Sequence, residues 1–150
     1  MVRIKTTQEM IDRCQLKAKS LGSINNSITK GGGNLAGYLG EEAVASHIGA
    51  EIVSNNRGRD KYNYDLLLHD GRRMEVKTKR RTVKPRPNYD VSVANSSKHQ
   101  RPDLYAFVSL EFERADKNHP KKYYGLQNAW LCGYMDANEF WERAILWKSG

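Results

Sequence analysis

The chain has 150 residues, of which 39% are hydrophobic and 28% charged. This length suits one domain with a single core, and no run of about 18 apolar residues that would cross a membrane is present. The two cysteines, Cys14 and Cys132, belong to no Cys-x-x-Cys pair, which argues against a zinc finger or a disulfide framework. The first residues lack the apolar core of a signal peptide, so we expect one domain over residues 1–150 in a reduced, cytoplasmic location.

The positive charge of the chain narrows the choice of partners. The net charge is +8, and the cations are clustered, with residues 77–86 carrying several and no acid, and residues 55–63 adding more. A field of this sign attracts polyanions, of which nucleic acid is the commonest. The composition therefore favours a nucleic-acid partner over a merely basic protein.

Two helices are predicted in the first third of the chain. Residues 7–21 have apolar side chains at helical spacing, and either Thr6 or Thr7 can cap the helix. Residues 22–33 are rich in glycine and other turn formers and predict a loop without the pattern of a nucleotide-binding P-loop. The next helix is expected over residues 34–49, with the first of them, an asparagine, as its cap.

The rest of the chain is predicted to form strands with two further helical pieces. In chain order these are a strand at 50–54, a hairpin of 62–68 and 72–79, a strand at 89–93, a short helix or turn at 95–103, strands at 104–112 and 129–135, and a helix at 136–147. This order predicts an α/β fold with a mixed central sheet flanked by helices, not a regular βαβ winding.

The last helix has the clearest start signal. Asp136 is its expected cap, and Glu139 completes a capping box. Phe140, Ala144 and Trp147 share one helical face, so we expect them against the core. The other two tryptophans of the chain fit either the core or a dimer surface.

The register of the hairpin follows from its loop length. A two-residue turn would place Asp65 and Glu75 on opposite faces. A three-residue loop at 69–71, with glycine in the left-handed closing position, pairs Leu66 with Met74 and gives one mostly apolar face. We adopt this register, in which Asp65 and Glu75 are cross-strand neighbours on the other face, with Cβ atoms about 5 Å apart.

Two carboxylates this close repel each other unless a cation lies between them. Lys77 is on the same face as Glu75, and a divalent ion such as Mg²⁺ or Mn²⁺ prefers hard oxygen ligands of this kind. A metal lowers the pKa of a bound water, and a lysine orients that water or stabilises developing charge. The set indicates phosphodiester hydrolysis; the alternative is an exposed hairpin with an ordinary Glu–Lys pair.

Asp65 is followed by nine further residues and then by Glu75-Val76-Lys77. This arrangement resembles the sequence motif of the PD-(D/E)XK nuclease superfamily. That superfamily has a restriction-endonuclease-like fold, with a core of helix, three antiparallel strands, helix and strand, and the match spans about residues 34–111. Tyr64 occupies the position of the motif's proline. The resemblance implies Mg²⁺-dependent DNA cleavage, with Mn²⁺ as a substitute and the Val76 carbonyl as an extra metal ligand.

The resemblance also implies further site residues. Superfamily members often carry a glutamate near the metal on the upstream helix, where this chain has Glu41 and Glu42. Their positions around the helix do not decide between the two glutamates. The stretch "LGEEAV" is similar to the Gly-Glu-x-x-Val pattern of superfamily members, which favours Glu41 as the catalytic, metal-binding residue. Downstream, Gln100 and Lys98 match positions that support the site in some members.

Cations that flank the site are expected to contact DNA phosphates, which position a duplex without reading its sequence. The expected nucleic-acid contacts are Arg57, Arg59, Lys61, Lys79, Arg80, Arg81, Lys84, Arg86, Lys98 and Gln100.

The sequence thus predicts a small metal-dependent DNA endonuclease that is structure-directed or processes phage DNA. It would be similar to a Holliday junction resolvase, work as a homodimer, and act in a bacterial, archaeal or phage-infected cell. The alternatives are a restriction or homing endonuclease with sequence specificity, a non-catalytic nucleic-acid-binding module on the same fold, and a nuclease that acts on RNA or within a larger complex.

Overall fold

The computed structural model describes residues 1–21, 32–53, 64–98, 100, 102–114 and 124–147. The elements in these ranges are β1 (Val2–Ile4), α1 (Gln8–Leu21), α2 (Gly32–Ile48), β2 (Glu51–Ile52), β3 (Leu66–Leu67), β4 (Arg73–Arg81), a 3-10 turn (Asn95–Ser97), β5 (Leu104–Glu113), β6 (Tyr124–Asp136) and α3 (Ala137–Arg143). None of the helices in the described ranges is long and apolar enough to cross a membrane.

The strands form one mixed sheet in the order β1-β6-β5-β4-β3-β2. Strands β4 and β5 are parallel, and all other neighbours in this sheet are antiparallel. A parallel pair needs a crossover connection, which here runs from the end of β4 through the 3-10 turn to β5. The predicted mixed α/β architecture is confirmed.

The two faces of the sheet are covered by different layers. Helices α1 and α2 pack on one face, where Met74 and Val76 of β4 join the main core. A smaller cluster on the other face joins Tyr105 and Phe107 of β5 to Phe140 of α3. Because side chains alternate along a strand, Glu75, which lies between Met74 and Val76, points to this second face, and so does Lys77.

The predicted first helix and its cap are confirmed. The Thr7 Oγ1 atom accepts a hydrogen bond from the Met10 N–H at 3.2 Å, which satisfies one of the free amides at the start of α1. The predicted start of the second helix is wrong, because α2 begins at Gly32 rather than after an Asn34 cap. Once nucleated, a helix gains a backbone bond with each added residue, and the glycines do not prevent this. The last two residues of the predicted loop at 22–33 belong to α2 instead, and residues 22–31 lie outside the described residues.

The three-residue hairpin loop and its register are confirmed. Leu66 pairs with Met74, the Leu68 N–H donates to the Arg72 carbonyl at 2.9 Å, and Gly71 has the left-handed φ of 85° that closes the loop. The regular ladder, however, covers only β3 and stops before Asp65. The predicted strand residues 62 and 63 lie outside the described part of the chain.

Two strand predictions need correction. Residues 89–93 form no strand, because both edges of β4 already pair with β3 and β5 and no free edge remains beside it. Strand β1 is missing from the sequence-based prediction, because its three residues are too few to show alternation; it pairs with β6 through Val2 and Leu131. Strand β6 contains the predicted 129–135 segment and extends beyond both of its ends.

The C-terminal helix begins as predicted and ends early. The Asp136 side chain accepts from the Glu139 N–H at 3.1 Å, which confirms the cap. Helix α3 stops at Arg143, and Ala144 has extended dihedral angles. Trp147 is therefore not carried back to the core and is 79% exposed, so its predicted core position is wrong. Phe140 alone of the predicted inner face is buried.

Candidate active site

Three acids lie within electrostatic reach of Asp65 or of each other where helix α2 passes the hairpin, and we call them the acidic cluster. Glu41 comes from the middle of α2, Asp65 directly precedes β3, and Glu75 lies near the start of β4. Each of the three is at most partly exposed, and the charges of Asp65 and Glu75 both act on Glu41. Two elements that are distant in sequence thus bring three acids into one partly buried cluster.

A close approach of α2 to β4 makes this convergence possible. A Cβ atom on Gly40 would overlap the Thr78 hydroxyl and lie 3.1 Å from the Thr78 Cβ, so only glycine fits at this crossing. Glu41, the next residue, is thereby held over the hairpin. The Thr78 Oγ1 atom is buried and makes no hydrogen bond within the described structure.

Asp65 is fixed by the backbone of the neighbouring strand. Its Oδ2 atom accepts from the Val76 N–H at 2.8 Å, and its own N–H donates to the Met74 carbonyl at 2.9 Å. Met74 is the register partner of Leu66, so the pairing shifts by one residue at Asp65. The predicted cross-strand pair of Asp65 and Glu75 is therefore replaced by a bulge-like arrangement, which aims the aspartate side chain along β4.

Glu75 and Lys77 form an ion pair on the same face of β4. The Lys77 Nζ atom lies 2.9 Å from the Glu75 Oε1 atom, and the two side chains are 24% and 13% exposed. The spacing of two residues on a strand explains why they meet. This part of the site lies where the sequence predicts it.

The cluster raises the pKa values of its own acids. Burial, and then the negative charge of Asp65, raise the pKa of Glu41 to about 8, against the opposing charge of Lys17. Burial and Asp65 likewise raise the pKa of Glu75 to about 7, although Lys77 opposes this. Burial raises the pKa of Asp65 as well, while the Val76 N–H and Lys77 act in the other direction. Carboxyls with raised pKa values in one place are characteristic of functional sites.

The structure shows which of Glu41 and Glu42 lies beside the hairpin acids, a choice that their positions around the helix do not decide. Glu41 faces Asp65, whereas Glu42 is buried on the side of helix α1 and binds Arg13 at 3.0 Å. Lys17 lies 4.0 Å from Glu42 and also acts on Glu41. Glu42 therefore joins two helices, and Glu41 belongs to the acidic cluster.

The donor set of the cluster fits a divalent cation. The Glu41 Oε2 atom is buried and makes no hydrogen bond within the described structure, and carboxylate oxygens are the ligands that Mg²⁺ and Mn²⁺ prefer. As the side chains stand, no group of three His, Cys, Asp or Glu in the described ranges is placed to hold a metal ion. Glu75 is turned to Lys77 and Asp65 to Val76, so binding would require these side chains to reorient.

The cations that are predicted to contact DNA lie on different faces and segments of the structure. Lys79 and Arg81 alternate with Lys77 along β4 and share its face, whereas Arg80 points to the opposite face. Lys84 lies over the Trp130 ring at 4.5 Å. The predicted contacts Arg57, Arg59 and Lys61 lie outside the described residues. Arg86 is exposed beside the end of the Lys77 face.

The two downstream candidates lie in the crossover connection after β4. The Lys98 Nζ atom is 5.8 Å from the centre of the Trp141 ring, which directs it towards α3. The Gln100 N–H donates to the Ser97 carbonyl at 2.9 Å, and in the described part of the chain its side chain makes no hydrogen bond to the three acids. The structure thus does not bring Gln100 into the acidic cluster.

Three residues that shape the cluster are not predicted from the sequence. Gly40 and Thr78 define the crossing of α2 and β4, and Lys17 supplies a positive charge to Glu41 from α1. A glycine inside a predicted helix was an available signal for close packing. The position of Lys17 depends on how α1 packs, which no local pattern reports.

No protein-family model and no curated protein sequence matches the chain. The functional assignment therefore depends on the geometry of the acidic cluster and on the order of the elements around it.

Proposed function

We propose that the protein is a metal-dependent DNA endonuclease of the PD-(D/E)XK type, with Glu41, Asp65, Glu75 and Lys77 as its catalytic residues. The observation that carries this proposal is the convergence of Glu41 with the two hairpin acids, with Lys77 at 2.9 Å from Glu75. A binding module gains nothing from three partly buried acids within a basic surface, because they would repel phosphate. The alternative of a non-catalytic module on this fold is therefore less well supported.

The order of the elements supports the same class. Helix α2 is followed by the antiparallel strands β2, β3 and β4, then by a 3-10 turn, and then by β5 parallel to β4. This is the order expected of a restriction-endonuclease-like core, with the second helix reduced to a single turn.

Each residue has a role that its surroundings explain. Asp65, Glu75 and Glu41 would hold a Mg²⁺ ion, with the Val76 carbonyl as a further ligand, and the ion would supply Lewis acidity and an activated water. Lys77 is held at the edge of the cluster by Glu75, from where its ammonium group can orient the attacking water or stabilise charge on a phosphoryl oxygen. The Val76 N–H holds Asp65 in place.

The biological setting is also a proposal. Cutting two strands of a DNA junction requires two active sites, so we propose a homodimer of this chain. Its substrates would be DNA junctions or other DNA structures, and Mn²⁺ would replace Mg²⁺ in the site.

A cleavage assay tests this function. Purified protein would be incubated with linear, single-stranded, flapped and four-way-junction DNA in Mg²⁺, in Mn²⁺ and in EDTA. We expect metal-dependent cutting that is lost in Glu75→Gln and retained in Asp70→Asn, which removes an exposed acid from the loop of the same hairpin. Cutting in EDTA, or equal cutting by the two variants, would contradict the assignment.

A further inference from the structure

A groove runs along the second face of the sheet and includes Lys77, the ion-pair partner of Glu75. It has a volume of about 270 Å³, and Lys77 lies in its wall, followed by Lys79 and Arg81 further along β4. Residues of the segment 85–92, which leads away from the end of β4, form another side of it, and Phe107 and Ser109 of β5 form part of its base. The groove is therefore continuous with the proposed catalytic lysine.

Two cations of the groove, Lys79 and Arg81, bind uncharged partners in the described part of the chain. Lys79 donates to the backbone carbonyl of Asp90 at 3.2 Å, and Arg81 donates to the Ser109 hydroxyl at 3.3 Å. Both acceptors are uncharged, and no acid in the described ranges forms an ion pair with either cation. Arg86 adds a further positive charge, and the Asp90 carboxylate is the opposing charge in the lining.

The cations along the groove have a regular spacing. Every second residue of a strand projects to the same face, so Lys77, Lys79 and Arg81 repeat at about 6.6–6.8 Å. This repeat is close to the separation of successive phosphates along one extended polynucleotide strand.

The groove also offers a flat aromatic surface. The Arg81 guanidinium lies over the Tyr89 ring at 4.5 Å from its centre, and Tyr89 is half-buried in the covering segment. Aromatic rings and guanidinium planes are the surfaces on which unpaired bases stack. Bases in an intact duplex are already stacked on each other and are not available to such a surface.

We infer that this groove holds one unpaired polynucleotide strand and leads it to the acidic cluster, so that the proposed nuclease acts on single-stranded or flapped substrates rather than on intact duplex. The catalytic part of this inference rests on the proposed function. The binding part is independent, because regularly spaced cations, two of them without an ion-pair partner in the described ranges, and a stacking surface occur together in one groove of about 270 Å³.

The binding part is tested without metal, in the Glu75→Gln background and in EDTA. Fluorescence anisotropy would compare a labelled single-stranded DNA, a single-stranded RNA of the same sequence and the DNA duplex. We expect at least one of the single strands to bind about tenfold or more tightly than the duplex. Removing one phosphate-contacting cation by Lys79→Gln should reduce the slope of log K against log salt by about 0.7. Lys19→Gln, which removes an exposed cation from helix α1 on the other face, should leave the slope unchanged.

Stacking is tested at Tyr89. Tyr89→Ala should weaken single-strand binding about tenfold, and Tyr89→Phe, which keeps the ring, should restore it. Thermal melts of both variants verify that each is folded, and Lys79→Gln reports on the groove independently.

The outcomes separate this inference from the proposed function. Equal affinity for duplex and single strands, or equal salt slopes in Lys79→Gln and Lys19→Gln, would overturn the groove inference even if the protein with native Glu75 cuts DNA in Mg²⁺. Tight single-strand binding that depends on Lys79 and Tyr89, without any cutting in Mg²⁺ or Mn²⁺, would remove the proposed function and support the groove as a binding site.

Discussion

Glu41, on helix α2, lies close enough to Asp65, at the entry to strand β3, for the negative charge of Asp65 to raise the pKa of Glu41. Burial raises the pKa of both groups, and the pKa of Glu41 reaches about 8. A helix thus meets the hairpin through two acids rather than through an acid and a base. Such a contact costs stability at neutral pH, because burial of carboxyl groups disfavours their charged forms. The cation site that we propose would explain why the two acids lie together.

The first prediction concerns stability and pH in the absence of metal. The pKa of Glu41 is about 8 in the folded protein and has an ordinary value of 4.5, so between these values the folded state keeps a proton that the unfolded state has lost. The unfolding free energy therefore falls as pH rises through this window and levels off above it. Glu75, with its pKa raised to about 7, acts in the same direction.

We expect urea unfolding in EDTA to give a free energy lower by about 2 kcal/mol at about pH 8.5 than at about pH 5.5. Glu41→Gln, which stays neutral, should remove much of this difference and raise stability at the higher pH. A parent protein whose stability rises across the same interval, or a Glu41→Gln variant with an unchanged profile, would show that the cluster does not hold its proton in this way.

The second prediction uses two glycines of the same helix. Gly40→Ala should destabilise the protein by about 1–3 kcal/mol, because the added methyl group meets the Thr78 side chain where α2 crosses β4. Gly37→Ala should stabilise it by about 0.5–1 kcal/mol, because no atom lies within 4 Å of the added Cβ and alanine favours the helix. Thermal unfolding of the two variants gives the comparison.

If both alanine variants were equally stable, the close crossing of α2 and β4 would be wrong. We also expect Gly40→Ala to lose DNA cleavage more than its stability requires, because the helix must shift and takes Glu41 with it. Gly37→Ala serves as the control for that measurement.

The third prediction separates two lysines of strand β4. Lys77→Met should lower the single-turnover rate of cleavage about 100-fold or more with little change in DNA affinity, since Lys77 acts next to Glu75. Lys79→Met should weaken DNA affinity and leave the single-turnover rate at saturating DNA nearly unchanged, since Lys79 lies in the groove away from the acids. A reversal of these two patterns would exchange the roles that we assign to the lysines.

Some of this structure could be predicted because the signals are local. The loop at 69–71 has its glycine where the left-handed residue must lie, and the apolar alternation on both sides fixes the pairing of Leu66 with Met74. The Asp136 cap is also local, since it needs only the amide of Glu139. The Glu75–Lys77 ion pair follows from the alternation of a single strand.

Other features depend on packing between distant segments. The choice of Glu41 over Glu42 is made by the contact of α2 with α1 on one side and with the hairpin on the other. The exposure of Trp147 follows from the early end of α3, since helical periodicity alone does not report where a helix stops packing. The shift at Asp65 arises because its side chain binds the Val76 N–H, which a regular ladder would not allow.

The measurement that tests the central claim most directly is calorimetric binding of Mn²⁺ to two neighbouring variants, Glu41→Gln and Glu42→Gln. The substitutions are chemically identical and adjacent on one helix, but only Glu41 belongs to the acidic cluster, while Glu42 pairs with Arg13. We predict that Glu42→Gln binds Mn²⁺ as the parent does, and that Glu41→Gln and Glu75→Gln bind it at least tenfold more weakly. Equal affinity in Glu41→Gln, Glu75→Gln and the parent would contradict the claim that these carboxylates form one cation site.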